Sequence, residues 1–120
     1  MYIFSFEKLD VWKNTIELTK IIYRISSKFP DKEKFGLTSQ MRRAVVSVSS
    51  NIAEGTSGTT GKDKSHYTTM AYTSLMELMN QSIVSNALDY MSNEDLNLIR
   101  EKVAHIANQL NSLRNFQKNN

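Results

Sequence analysis

Apolar residues recur along this chain at intervals of three and four in four separate segments, a pattern typical of amphipathic helices. The fourth segment is the most regular, with apolar residues at Leu96, Ile99, Val103, Ile106, Leu110 and Leu113. Such a heptad seam packs against neighbouring helices at a shallow angle. The first segment, at about 6–29, and the third, which follows a polar loop at 55–63 and ends near 90, also carry apolar faces at helical spacing.

The second segment, at about 37–54, is open to two interpretations. Its apolar residues have helical spacing and are Leu37, Met41, Val45, Val48 and Ile52. Within 45–50, however, β-branched residues and serines alternate, as they do in many strands. We favour a helix, because a lone short strand would have no partner elsewhere in the chain.

Helix-breaking residues separate the segments. The one proline, Pro30, and the four glycines, at 36, 55, 58 and 61, all lie within 30–61. Four helices joined by short connections predict an all-α fold, an antiparallel up-down-up-down four-helix bundle. We expect a single domain over 1–120, with a frayed tail at about 117–120.

Composition limits the classes of function. The chain has no cysteine, which excludes a disulfide framework and a thiolate metal site. It has no apolar run long enough to span a membrane and no secretory leader pattern near its start, so we expect a cytoplasmic protein without a membrane partner. The formal net charge of +3 permits a nucleic-acid partner without requiring one.

The glycine-rich loop at 55–63 differs from a Walker-type phosphate-binding loop. That motif has four residues between its glycines, a serine or threonine after its lysine, and a strand before it. Here five residues separate Gly55 from Gly61, Asp63 follows Lys62, and a predicted helix precedes the loop. A flexible connector between helices is the better interpretation, and we expect no cofactor.

Arg100 and His105 have the spacing of the arginine–histidine motif of HEPN ribonucleases, which are also all-helical. In that motif the histidine handles a proton and the arginine holds a phosphate. On a regular helix these two side chains point about 140° apart, so surface positions beside the heptad seam explain them better. The other histidine, His66, is distant in sequence, which disfavours a metal site. We expect no catalytic residue and no enzymatic activity, and a ribonuclease is the most distant alternative.

The first segment carries four cations at steps of seven and four: Lys13, Lys20, Arg24 and Lys28. This spacing places them on one helix face, which Glu17 interrupts. A solvated surface is the ordinary explanation of such a stripe, and the functional alternative is contact with phosphates. Because no aromatic residue supports the stripe, any RNA or DNA binding would depend on backbone charge rather than sequence readout.

The stretch 40–55 is the most distinctive part of the chain and reads Gln-Met-Arg-Arg-Ala-Val-Val-Ser-Val-Ser-Ser-Asn-Ile-Ala-Glu-Gly. With Phe-Glu-Lys-Leu-Asp-Val-Trp at 6–12, it resembles the proteins encoded in intervening sequences of bacterial 23S ribosomal RNA genes, the S23 family. The resemblance covers roughly 6–115 and implies a four-helix bundle that assembles into a homopentamer. It also implies relatives among the accessory proteins of diversity-generating retroelements, which associate with nucleic acid and reverse transcriptase.

Three charged residues of this stretch are candidates for a subunit interface or a structural ion pair. Glu54 lies in the last predicted turn, where the helix dipole disfavours an anion. Arg42 and Arg43 are about three turns back on the same helix, too far to pair with it. The ordinary explanation is an exposed acid before a Gly55 C-cap. The alternative is an ion pair with another helix or subunit, with Arg42 or Arg43 of another copy as the first candidate.

These observations predict a non-enzymatic, oligomeric assembly protein that contacts RNA or DNA through its basic surface. The alternative is a module that binds only other proteins, such as a reverse transcriptase. Binding to RNA or DNA that weakens as salt rises would separate the first function from the second, because contacts with phosphates release counterions.

Overall fold

The computed structural model of the protein describes residues 1–119. Four α-helices occur in this range: α1 (Asp10–Ser26), α2 (Leu37–Thr56), α3 (Gly61–Ala87) and α4 (Asn93–Lys118). Two short 3-10 turns, Ser5–Lys8 and Asp31–Glu33, precede α1 and α2. No strand occurs within 1–119, so the helical interpretation of the second segment is confirmed.

The helices form a square bundle in which each one packs against two others. α1 packs against α2 and α4, α3 packs against the same two helices, and the diagonal pairs make no contact among the described residues. The molecule measures 45 × 30 × 21 Å, which suits helices of this length standing side by side. The predicted all-α, up-down-up-down bundle is confirmed.

The apolar stripes of the sequence meet in the core. Five members of the α4 seam are buried, namely Leu96, Ile99, Val103, Ile106 and Leu110. Four members of the α2 stripe are also buried, namely Met41, Val45, Val48 and Ile52. Burying one such side chain stabilises the fold by about 1.5–3 kcal/mol, so these two stripes supply a large part of the driving force.

Helix α1 is shorter than the predicted segment at 6–29. Ser5–Lys8 form a 3-10 turn and Leu9 has an extended backbone, so the α-helix begins only at Asp10. Within that turn, Phe6 packs edge-on against Trp12 with ring centroids 5.5 Å apart. Helix α1 ends at Ser26, yet Phe29 is still buried, because its ring packs against Tyr90 in the connection between α3 and α4.

Side-chain caps fix where α3 and α4 begin. The Thr60 hydroxyl accepts a hydrogen bond from the Asp63 amide at 3.1 Å, so α3 begins within the polar loop rather than after it. The Ser92 hydroxyl accepts from the Asp95 amide at 3.1 Å, as serine does at many helix starts. Helix α3 ends at Ala87, earlier than the predicted 90, and Asp89 then adopts a left-handed backbone with φ 65°.

Gly55 lies where α2 and α3 approach each other closely. A Cβ added at Gly55 would lie 3.1 Å from the Tyr67 Cβ and 3.2 Å from the Lys64 carbonyl oxygen. The glycine is therefore required by the packing of two helices, inside the last turn of α2, and is not a C-cap beyond it.

The C-terminal end of α4 is tied to the bundle further than the sequence indicates. Helix α4 continues through Lys118, whereas a frayed tail is predicted at about 117–120. Gln117 is buried, and its side-chain oxygen accepts a hydrogen bond from the Thr68 hydroxyl at 2.6 Å. Asn120 lies outside the described residues.

Candidate subunit interface

A groove of about 780 Å³ follows the outer surface of α2 from its first turn to its last. Most of its lining comes from α2, and α1 and the α1–α2 connection supply the rest: Tyr23, Lys34, Phe35, Thr38, Ser39, Arg42, Arg43, Val46, Ser47, Ser50, Asn51 and Glu54. All three charged residues of the 40–55 stretch thus line one surface. We call this surface the α2 groove.

The Arg42 side chain contacts residues of its own chain. Its guanidinium lies 4.5 Å from the centroid of the Tyr23 ring, within the range of a cation–π contact. Its Nε donates to the Ser26 hydroxyl at 3.0 Å, and its Nη2 donates to the Tyr23 carbonyl at 3.3 Å. A cation is favourable at the carbonyl end of a helix, so Arg42 both joins α2 to α1 and stabilises the last turn of α1.

Arg43, by contrast, forms no ion pair among residues 1–119. Consecutive residues on a helix diverge by about 100°, and this turn places Arg43 on the exposed side of the α2 groove. Among residues 1–119 the one ion pair joins Lys20 to Glu17, so Arg43 has no anionic partner in the described chain.

Glu54 lies at the opposite end of the α2 groove. It is exposed, and the described residues provide it with no cation within ion-pair distance. Eleven residues of helix separate it from Arg43, which is about 16 Å along the axis, so the two do not pair within one chain. Glu54 also borders a second hollow, beside Phe6 and Tyr67. A partner for Glu54 in another copy stays a prediction.

The serines beside the groove fasten α2 to α3. The hydroxyls of Ser47 and Ser74 lie 2.9 Å apart, within hydrogen-bond distance. The Asn51 amide donates to the Ser47 carbonyl at 2.9 Å and to its hydroxyl at 3.2 Å. These small polar side chains therefore satisfy one another within the bundle and allow α2 and α3 to pack closely.

The sequence profile described as 23S rRNA-intervening sequence protein matches residues 7–112. The chain belongs to this family. A crystal structure of similar fold is that of a protein with unknown function from the S23 ribosomal protein family of Bacteroides thetaiotaomicron VPI-5482. The two superpose with a TM-score of 0.80 at 19% sequence identity, over 88% of this chain and 95% of the other. No curated protein matches the chain.

In this family member the predicted cationic stripe lies on the exposed face of α1 and continues past the end of the helix to Lys28. Lys13, Lys20, Arg24 and Lys28 are all exposed. Lys20 donates to Glu17 at 3.1 Å, so part of its charge is compensated. Arg24 shares a shallow depression with Glu94, Asp95 and Glu101 of α4.

The acids around that depression make the surroundings of the stripe less positive than the sequence indicates. We call the surface around Arg24, Glu94, Asp95 and Glu101 the acidic face. It lies between α1 and α4, so a stripe that looks purely basic in sequence runs beside an excess of acids. Among residues 1–119 only Lys20 of the stripe forms an ion pair, and Lys13 and Lys28 also lie outside this depression.

Aromatic residues of the α2 groove were missed by the sequence analysis. Phe35 is 89% exposed, and the Lys34 ammonium lies 5.6 Å from the centroid of its ring. Tyr23 comes from α1, nineteen residues before Arg42. The return of the chain through Pro30 brings the Tyr23 ring beside Arg42, so sequence proximity carries no signal for this contact. Phe35, by contrast, lies only seven residues before Arg42 in the sequence.

Arg100 and His105 are both exposed on α4 and occupy different surroundings. His105 borders a shallow depression with Asp10 and Asn108, and Arg100 does not line it. Within 1–119 no group of three histidine, cysteine or acidic side chains is arranged to hold a metal ion. In the same range, no helix combines the length and apolar character needed to cross a bilayer.

Proposed function

We propose that this member of the 23S rRNA-intervening sequence family is a non-enzymatic assembly module whose copies associate into a closed ring. The observation that carries the proposal is the α2 groove, in which Arg43 and Glu54 have no partner among residues 1–119. A surface that presents unpaired charges of both signs around an apolar centre is suited to a partner with the opposite arrangement.

The exposed apolar residues of the outer surface support association. Helices α2 and α3 expose five large apolar side chains by more than a third of their area, namely Val46, Met70, Met76, Ile83 and Val84, and Leu88 directly after α3 is half exposed. Exposed apolar surface that is contiguous and rimmed by polar groups is typical of contacts between proteins. We therefore propose that Arg42, Arg43 and Glu54 lie in or beside a subunit interface.

The size of the assembly follows from the resemblance to the S23 family, and we propose a ring of about five chains. Multi-angle light scattering at micromolar concentration tests it, with an expected mass close to five times that of one chain. A monomer at that concentration would contradict the proposal.

Contact with RNA or DNA is a second candidate function. The specific observation in its favour is that Lys13 and Lys28 are exposed and unpaired within 1–119, at opposite ends of α1. A ring would repeat these cations around its circumference, which raises affinity for a polyanion without a new kind of contact.

Fluorescence anisotropy with labelled RNA and DNA at low salt tests this second candidate. We expect weak binding that is the same for unrelated sequences and that falls steeply as salt rises. If micromolar protein leaves both nucleic acids unbound, a module that binds only proteins is the better description.

A further inference from the structure

The α2 groove and the acidic face have formal charges of opposite sign. Three cations and one acid line the groove, a formal charge of +2. Three acids and one cation surround the depression of the acidic face, a formal charge of −2. One chain thus presents both halves of a complementary pair of surfaces.

The two surfaces also lie at matching heights. The α1–α2 and α3–α4 connections are at one end of the bundle, where α2 and α4 both begin. Arg43 lies about 9 Å below the start of α2, and Glu101 lies about 12 Å below the start of α4. A rotation about an axis parallel to the helices leaves every residue at its own height. In a ring with such an axis, Arg43 of one copy therefore meets the level of Glu101 of the next.

The groove and the acidic face lie on different sides of the square bundle. Arg43 is on the outer surface of α2, whereas the acidic face lies between α1 and α4, and α2 makes no contact with α4. The two surfaces therefore do not neutralise each other within one chain. They can be joined only when a second copy is present.

We propose that the α2 groove of one copy receives the acidic face of a second copy, with Arg43 paired to Glu101. This inference rests on the proposed assembly and names the two surfaces that form it. Glu94, Asn97 and Glu101 are exposed at steps of three and four, so they form one ridge of α4. A helix ridge of this kind packs into a groove beside another helix.

The arrangement excludes Arg43 of the next copy as the partner of Glu54. In a ring of parallel bundles, Glu54 of one copy lies about 16 Å from the height of Arg43 of the next, so these two do not pair. They pair only if two copies meet about a two-fold axis with their α2 helices antiparallel. The two arrangements therefore require different cross-chain ion pairs, which makes them separable by mutation.

Reciprocal charge reversal tests the proposal. Arg43→Glu and Glu101→Arg should each raise the subunit dissociation constant by about tenfold or more, since each places like charges together. The double variant Arg43→Glu/Glu101→Arg should restore it to near the wild-type value. Asn80→Glu is the matched control, because Asn80 is exposed on α3 and lines neither surface. Neither Arg43 nor Glu101 has a side-chain partner among residues 1–119, so reversal breaks no contact within a chain.

Sedimentation velocity over a dilution series gives the dissociation constants, and circular dichroism verifies that each variant is folded. A wild-type oligomer that either single reversal leaves unchanged would overturn the inference, as would a double variant without rescue. Rescue by Arg43→Glu/Glu54→Arg would instead establish the antiparallel contact. Loss of RNA binding by Arg43→Glu without a change in mass would assign the groove to nucleic acid. A wild-type monomer would overturn the proposed function itself, which is a different result from any of these.

Discussion

Two adjacent arginines of identical chemistry have different roles at the scale of single residues. Arg42 is bound to Tyr23 and Ser26 of its own chain, whereas Arg43 projects from the α2 groove without a partner within 1–119. The difference follows from the helical rotation of about 100° between them, which directs one toward α1 and the other outward.

Replacing Arg42 by alanine should destabilise the chain itself. The variant loses a cation–π contact and two hydrogen bonds, and it leaves the Ser26 hydroxyl, in a residue only 2% exposed, without its donor. We expect a loss of about 1–3 kcal/mol in the free energy of unfolding, measured by urea denaturation. The loss should not depend on protein concentration.

Arg43→Ala is the matched comparison. Because Arg43 makes no side-chain contact among residues 1–119, any loss of stability should shrink as the protein is diluted. Equal and concentration-independent losses for Arg42→Ala and Arg43→Ala would contradict the division of roles described above.

Replacing Glu54 by glutamine should weaken assembly if a second copy covers this residue. An anion at the end of a helix is stabilised only by a cation brought from elsewhere. If the resulting pair is largely buried, its loss should cost about 1–3 kcal/mol of association free energy in sedimentation experiments. Asp89→Asn, which also removes an exposed carboxylate, should have no effect. Unchanged association of Glu54→Gln would indicate that Glu54 remains in solvent.

At the scale of whole helices, Gly55 controls how closely α2 approaches α3. In an unconstrained helix, alanine is favoured over glycine by about 1 kcal/mol. At Gly55 the added methyl group would lie 3.1 Å from the Tyr67 Cβ and 3.2 Å from a backbone oxygen, and both are held by α3. The clash should exceed the gain in helix propensity.

Gly55→Ala should accordingly lower stability by about 1 kcal/mol or more, which thermal unfolding would register. Gln40→Ala is the control for propensity alone, because Gln40 is exposed on the same helix. A higher melting temperature for Gly55→Ala would mean that the two helices can move apart at little cost.

The cations of α1 should contribute unequally to any nucleic-acid binding. Lys20 is paired with Glu17, and Arg24 lies beside the acidic face, whereas Lys13 and Lys28 are unpaired within 1–119. Lys13→Ala/Lys28→Ala should therefore lower affinity for RNA more than Lys20→Ala/Arg24→Ala does. Both variants should act equally on all sequences and reduce the slope of affinity against salt in anisotropy titrations. A larger loss of affinity for Lys20→Ala/Arg24→Ala would mean that these two cations leave their acidic neighbours when nucleic acid binds.

The sequence predicts a helix most accurately where apolar residues repeat at helical spacing without interruption. The seam of α4 repeats without interruption, and the helix is found as expected with five of the six seam residues buried and Leu113 partly buried. Helix α1 is mispredicted at both ends. Phe6 and Phe29 continue the apolar spacing but lie outside the α-helix. Phe6 lies in a 3-10 turn, and Phe29 packs against Tyr90. Periodicity indicates that a residue is buried and does not state which backbone conformation buries it.

The candidate site was only partly predictable for a related reason. Helix length alone shows that Arg42 and Arg43 of the same helix do not reach Glu54. The contact between Arg42 and Tyr23 depends on which faces of α1 and α2 come together. The position of Arg24 beside acids depends on how α1 meets α4. That information belongs to tertiary packing, which a single sequence does not contain.

At the scale of the whole molecule, the distribution of charge affects how copies associate more than the net charge does. The formal net charge of +3 is small, yet the α2 groove and the acidic face differ by four units between two sides of one bundle. A chain with such lateral polarity favours contacts that join unlike sides. Repetition of that contact gives a ring when the rotation between copies closes, and a filament when it does not.

The contact between Phe6 and Trp12 supplies the molecule with its own optical reporter. Trp12 is the single tryptophan, so selective excitation of tryptophan fluorescence reads one site without a label. Phe6 shares the hollow beside Glu54, at the lower end of the α2 groove. Covering that end on association should shift the Trp12 emission to the blue as concentration rises. An association that involves only the upper end would leave the spectrum unchanged while the mass increases.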